Sequence, residues 1–180
     1  LASSSQDQID LLLEKKVTAL AYEQIVDVNG SLSVLRPFSL MCGAMASEIA
    51  ARLLQNNWGG KGILLSGLPG VPPAEVVIIG GGAVGFSAMQ AMIGAGAHVT
   101  VIDRNMSVLE RIVEKYPRVV TMISTKRNIE RATAFADVVI GAVLVSGQRA
   151  PIVVTREMVK GMNPRSVILD VSIDQGGCVE

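Results

Sequence analysis

The apolar run Val76–Ile79, passing without a break into Gly80-Gly81-Gly82-Ala83-Val84-Gly85, constrains this chain more than any other stretch. Consecutive β-branched residues with no polar alternation predict a strand buried on both faces, the interior position of a parallel sheet. The G-x-G-x-x-G spacing forces a tight turn, and the residues from Val84 to Ile93 predict a helix leaving it. Further along, the alternation repeats. Strands are predicted at His98–Asp103, Val119–Ile123, Asp137–Val145 and Ser166–Ile173. Helices are predicted at Ser107–Tyr116, Asn128–Ala136 and Thr155–Met162. Strands and helices alternating over short links imply an α/β, Rossmann-type doubly wound parallel sheet. Its usual order is 3-2-1-4-5, with ligands at the carboxyl ends around strands one and four.

The chain before this region reads differently. Gln6–Lys15 predicts a short amphipathic helix and Val17–Val28 a strand. Asn29-Gly30 is a hairpin signal, which makes Ser31–Leu35 the returning strand. A helix is expected from an N-cap at Ser39 to about Gln55. Its Gly43, Ala44, Ala46, Ala50 and Ala51 would let a second backbone come close. Trp58–Gly62 breaks the helix, and Leu68–Pro73 is a loop stiffened by proline.

Composition removes several function classes. Sixteen basic and sixteen acidic residues cancel, leaving no basic excess for nucleic acid or for a polybasic membrane anchor. The mean hydropathy of +0.44 raises the question of a membrane span. The longest apolar segment, Ala132–Ser146, carries Asp137 and is too short to cross a bilayer as a helix. Cys42 and Cys178 lie far apart with no Cys/His cluster, so no metal is expected and a reduced, cytoplasmic setting is the default. No signal peptide is visible, and an opening on Leu1 rather than Met predicts a piece of a longer chain.

The glycine turn points to a nucleotide. Gly80 permits the tight bend, Gly82 leaves room for a pyrophosphate, and Gly85 lets the helix pack on the strand. The helix N-terminus offers free N–H groups and a positive dipole end to phosphate. Asp103, at the end of the second strand, is placed to accept hydrogen bonds from the adenosine ribose and to repel a 2′-phosphate. NAD is therefore expected over NADP, although Arg104 is a cation that could hold that phosphate. The alternatives are FAD, S-adenosylmethionine, or a bare βα turn with Asp103 capping a loop.

Four strings carry a resemblance to a known family: Gly59–Gly85, Asp103–Asn105, Ala136–Pro151 and Val167–Glu180. Together they resemble bacterial alanine dehydrogenase, a relative of the NAD-binding domain of proton-translocating transhydrogenase. The GAVLV and IDQGG segments are the most specific. The resemblance implies reversible oxidative deamination of L-alanine to pyruvate and ammonia, with hydride passing to NAD+. It makes Asp174 the catalytic aspartate, holding the attacking water and taking part in proton transfer. It also implies that Ser39, Ala83, Val84, Asp103, Ser124, Val143 and Leu144 line the cofactor, with Val171, Ser172 and Ile173 leading to Asp174 beside the nicotinamide. Each has a plainer reading as well: Ser39 as a cap, Ser124 as a strand end, Val143 and Leu144 as core, and Asp174 as a turn residue. His98 and Cys178 are expected to be structural.

The resemblance further implies that residues 1–36 are the remnant of a substrate domain and 37–180 the NAD-binding domain. Leu40 stands where the family has an acid, and Asn105–Val108 lacks a basic residue found in some members. The family's substrate-binding Arg and Lys, and a histidine just before the segment matching Leu1-Ala2, fall outside this sequence. The piece alone is expected to bind cofactor without turnover. A transhydrogenase domain and a non-catalytic binding module are the competing readings; Asp174, where the transhydrogenase branch has Glu, favours the dehydrogenase. The small-residue helix and the resemblance suggest a homo-oligomer, with a hexamer among the assemblies.

Overall fold

The structure, a computed structural model, describes residues 5–145 and 147–180. The Leu1-Ala2 match lies outside them. Five parallel strands form one sheet: β1 Glu75–Ile79, β2 His98–Asp103, β3 Val120–Ile123, β4 Val138–Gly141 and β5 Val167–Asp170. Their order is β3-β2-β1-β4-β5, as expected. The helices are α1 Gln6–Glu14, α2 Leu35–Leu53, α3 Ala83–Gly94, α4 Met106–Lys115, α5 Lys126–Phe135 and α6 Arg156–Lys160.

The central strand explains the two layers. Val76 and Ile78 point into a core with Leu54, Ala88, Met89, Met92 and Ile112. Val77 and Ile79 point into the opposite core with Ile129, Ala132 and Met158. Side chains alternate along a strand, so an unbroken apolar run feeds both faces, and each buried side chain contributes roughly 1.5–3 kcal/mol. Helices α4 and α5 start slightly upstream of expectation because polar caps precede them. Asn105 accepts from the Ser107 amide at 3.0 Å and Thr125 from the Asn128 amide at 3.1 Å.

Helix α2 packs on α3 through its small residues. A Cβ on Gly43 would sit 2.4 Å from the Val84 carbonyl oxygen, so only glycine admits this crossing. Ala46 and Ala50 are buried beside it. The contact brings the start of α2 to the carboxyl edge of the sheet.

Three expectations are corrected. Residues 17–34 form no strand pair. They contain a 3-10 turn at Tyr22–Gln24 and a turn around Asn29-Gly30. The Asp27 carboxylate accepts from the amides of Asn29 and Ser31, each at 2.9 Å, satisfying locally groups that a hairpin ladder would pair. Val26 and Val28 stay exposed, and an isolated hairpin with no sheet to lie on has little to hold it. Helix α2 starts at Leu35, not after Ser39. Pro37 falls in the first turn, where its missing N–H costs nothing, and Ser39 donates to the Leu35 carbonyl at 3.2 Å instead of capping. Strands β4 and β5 are shorter than expected. β1 bends away at Gly80, and the last bond to it runs from the Ala142 amide to the Ile79 carbonyl at 2.8 Å. Residues 142–145 leave the sheet and line its edge.

Candidate functional site

The glycines of the β1–α3 turn divide their work. Gly80 has φ +104, and a Cβ there would lie 2.3 Å from the Ala142 carbonyl oxygen. A Cβ on Gly85 would meet the Gly80 carbonyl oxygen at 1.7 Å, so this glycine sets the helix against the strand. Around Gly82 nothing lies within 4 Å of such an atom. The space above it is open, as a phosphate cradle requires. Gly82 is the N-cap of α3, and no side chain accepts from the first-turn amides. Those N–H groups face the carboxyl edge, where a helix end attracts anions.

Asp103 ends β2 beside this turn. Its Oδ2 accepts from the Gly81 amide at 2.6 Å and its Oδ1 from the Asn105 amide at 2.7 Å. The carboxylate is thus held at the rim with lone pairs to spare for further donors. A groove of about 310 Å³ runs from here along the edge. It brings together Ser39, Gly80, Gly82, Ala83, Val84, Asp103, Ser124, Val143 and Leu144, all expected at the cofactor site. Gly85 is buried beneath and acts through packing. Arg104 also lines the groove.

A second cavity of about 240 Å³ continues from the first, sharing Ser39, Val84, Val143 and Leu144. Asp174 lies here with Val171 and Ser172. Ile173 is exposed outside both cavities. The Ser172 hydroxyl donates to the Val143 carbonyl at 2.8 Å and accepts from its amide at 3.0 Å. It therefore ties two edge loops together. Tyr22, Phe38 and Cys42 also line this cavity. Sequence reading missed them: Tyr22 fell in the segment expected to form a hairpin, and Phe38 and Cys42 lie on α2 with no polar pattern to set them apart.

Asp170 is the other residue the sequence did not flag. It sits at the end of β5 and gathers amides from the loop carrying Asp174. Cys178, packed under this loop, is fully buried. Burial first, and then the Asp170 charge, push its thiol up to about 11. That keeps it protonated at neutral pH and makes it a poor nucleophile. His98 lies at the opposite end of the sheet, with Nδ1 2.7 Å from Glu75 Oε2. Among the described residues no group of three or more His, Cys, Asp or Glu could hold a metal ion, and no helix is long and apolar enough to cross a membrane.

The strand order, the glycine turn opening α3, and the groove at the switch between β1 and β4 define a Rossmann-type α/β domain. The family model "Alanine dehydrogenase/PNT, C-terminal domain" matches residues 46–180, and the chain belongs to that family. Alanine dehydrogenase of Bacillus subtilis (strain 168) is 49% identical over 170 residues, covering 94% of this chain and 45% of the relative. Alanine dehydrogenase of Methanococcus maripaludis is 46% identical over 170 residues, covering 94% and 46%. A solved L-alanine dehydrogenase superposes with a TM-score of 0.89 at 43% identity, covering 99% of this chain and 50% of that one. The transhydrogenase from Sinorhizobium meliloti shares the fold, with a TM-score of 0.77 at 24% identity over 99% of this chain and 52% of that one. The chain spans about half the length of the relatives it matches.

Proposed function

We propose that this chain is the NAD-binding part of an alanine dehydrogenase, which converts L-alanine, water and NAD+ to pyruvate, ammonium, NADH and a proton. The observation that carries the reading is the continuity of the edge groove: open amides at Gly82–Val84, the Asp103 carboxylate at one end, and Asp174 in the adjoining cavity at the other. Bound NAD+ supplies the hydride acceptor. The amides at the start of α3 would hold the pyrophosphate, Asp103 would accept from the adenosine ribose, and Ser124 would face the adenine. Val143 and Leu144 would flank the nicotinamide end and exclude water from one side. Asp174 holds the attacking water and moves its proton, which is the work a positioned carboxylate does in such a hydrolysis.

The substrate carboxylate needs a cationic clamp, and we assign it to a substrate domain of which residues 1–36 are the remnant in this chain. By itself the 180-residue chain binds cofactor without turnover. The reading makes the protein a cytoplasmic homo-oligomer; the free thiols of Cys42 and Cys178 and the exposed apolar residues Phe38, Met41, Met45 and Ile49 of α2 support it.

Fluorescence titration of this chain with NADH should saturate in the micromolar range or above, and NADPH should bind more weakly. Equal affinity would overturn the assignment of Asp103. In the complete gene product, alanine should drive NADH formation. Asp174→Ala should leave NADH affinity nearly intact and remove most turnover; retained turnover would reduce Asp174 to a turn residue.

A further inference from the structure

One carboxylate holds both arms of the loop that carries Asp174. Asp170 Oδ1 accepts from the Ser172 amide at 2.9 Å, just after β5. Its Oδ2 accepts from the amides of Cys178 at 2.8 Å and Val179 at 3.1 Å, on the far side of the loop. The Cys178 thiol adds a weak contact to Oδ1 at 3.4 Å. Every partner is a donor, so the site wants an acceptor-only group. The far arm is anchored in turn, because the Cys178 carbonyl accepts from the amides of Val153 and Val154 at 2.9 and 3.1 Å. Between the two arms the chain makes a 3-10 turn, Ile173–Gln175, closed by Gly176 at φ +99. Asp174 is on that turn, and Asp170 lines neither cavity.

We propose that Asp170 is a positioning residue: by closing the 172–179 loop on a single carboxylate it sets where Asp174 stands relative to the groove. The role in turnover rests on the dehydrogenase reading given above; the clamp itself does not. Asparagine in place of Asp170 must turn its NH2 toward one set of amides, which opens one arm while preserving volume. Gly177 supplies an independent way in. A Cβ there would lie 3.0 Å from Asp170 Oδ2, at φ +76, so Gly177→Ala presses on the same carboxylate from the loop side.

The test compares wild type, Asp170→Asn and Gly177→Ala. Amide hydrogen exchange should speed up by about tenfold or more on the one arm that the NH2 faces in Asp170→Asn (Ser172, or Cys178 and Val179), and at Cys178 and Val179 in Gly177→Ala, with the helices unaffected. In the complete gene product, kcat counted per titrated NADH site should fall about tenfold, with KM for NADH within about twofold. A merely structural role would lower the number of NADH sites and leave kcat per site unchanged. That result, or unchanged exchange at the loop, would overturn the proposal. If Asp170→Asn does not fold, Gly177→Ala carries both readouts. If wild type itself makes no NADH from alanine, the functional reading fails, and exchange alone then decides whether Asp170 holds the loop.

Discussion

The amide of Gly81 donates to Oδ2 of Asp103 at 2.6 Å, so the acid that ends β2 also holds the turn that opens α3. Through Oδ1 the same side chain fixes Asn105, whose side chain caps α4. One carboxylate therefore shapes the rim of the groove as well as lining it.

Replacing Asp103 with alanine should act on binding and on stability together. The part-buried Gly81 amide and the exposed Asn105 amide both lose a charged acceptor, worth about 1.5–3 kcal/mol at most for the first and less for the second. NADH affinity should fall by roughly tenfold or more and the preference over NADPH should narrow, while the melting temperature drops by several degrees. Paired titrations and thermal melts check this. An altered preference with an unchanged melt would show that Asp103 lines the groove without holding the turn.

Gly43→Val should wedge α2 off α3. Its Cβ would start 2.4 Å from a backbone oxygen that cannot move alone, and overpacking of this kind costs about 1–3 kcal/mol. Because the contact is to Val84 in the first turn of α3, NADH binding should weaken as well. Denaturant unfolding followed by NADH titration would separate the two effects.

Lys61 and Asp137 form an ion pair that is largely shielded from solvent, and Asp137 also accepts from the Glu75 amide at 2.9 Å. Removing the cation leaves the acid in place with one backbone donor. Lys61→Met should therefore destabilise the chain by about 2–3 kcal/mol. Asp137→Asn should cost about 1 kcal/mol, since asparagine still accepts from Glu75 and a freed lysine can extend to water. Unfolding midpoints in the reverse order would contradict this account of the pair.

The Cys178 thiol titrates at about 11 when folded, against an ordinary value of 9.0. A raised value means that the folded state holds the proton more tightly. Stability from this group is full below pH 9 and is lost as pH rises through 11, by at most about 2–3 kcal/mol. The stability difference between wild type and Cys178→Ala should thus shrink between pH 9 and 11 and be constant below that window. A flat difference up to pH 11 would rule the thiol out as its source.

The sheet was legible because its signals are local. Val76–Ile79 could only be an interior strand, and the glycine turn and Asp103 fell where an edge groove needs them. What was not legible depends on partners distant in sequence. Val17–Val28 has strand-forming residues, yet no neighbouring strand pairs with it, and Asp27 takes the amides at the turn. Ser39 has the chemistry of a cap, but α2 had already begun at Leu35, with Pro37 in its first turn. Asp170 fell inside the strand expected over Ser166–Ile173; its importance lies in amides eight and nine residues on.

The two-sided burial of β1 has a further implication. Val76 and Ile78 serve one layer and Val77 and Ile79 the other, so adding or deleting one residue in this strand would send every side chain into the wrong half of the molecule. It would also displace Gly80 from its place against Ala142. β1 can exchange one aliphatic residue for another, but its length is as fixed as the turn that follows it.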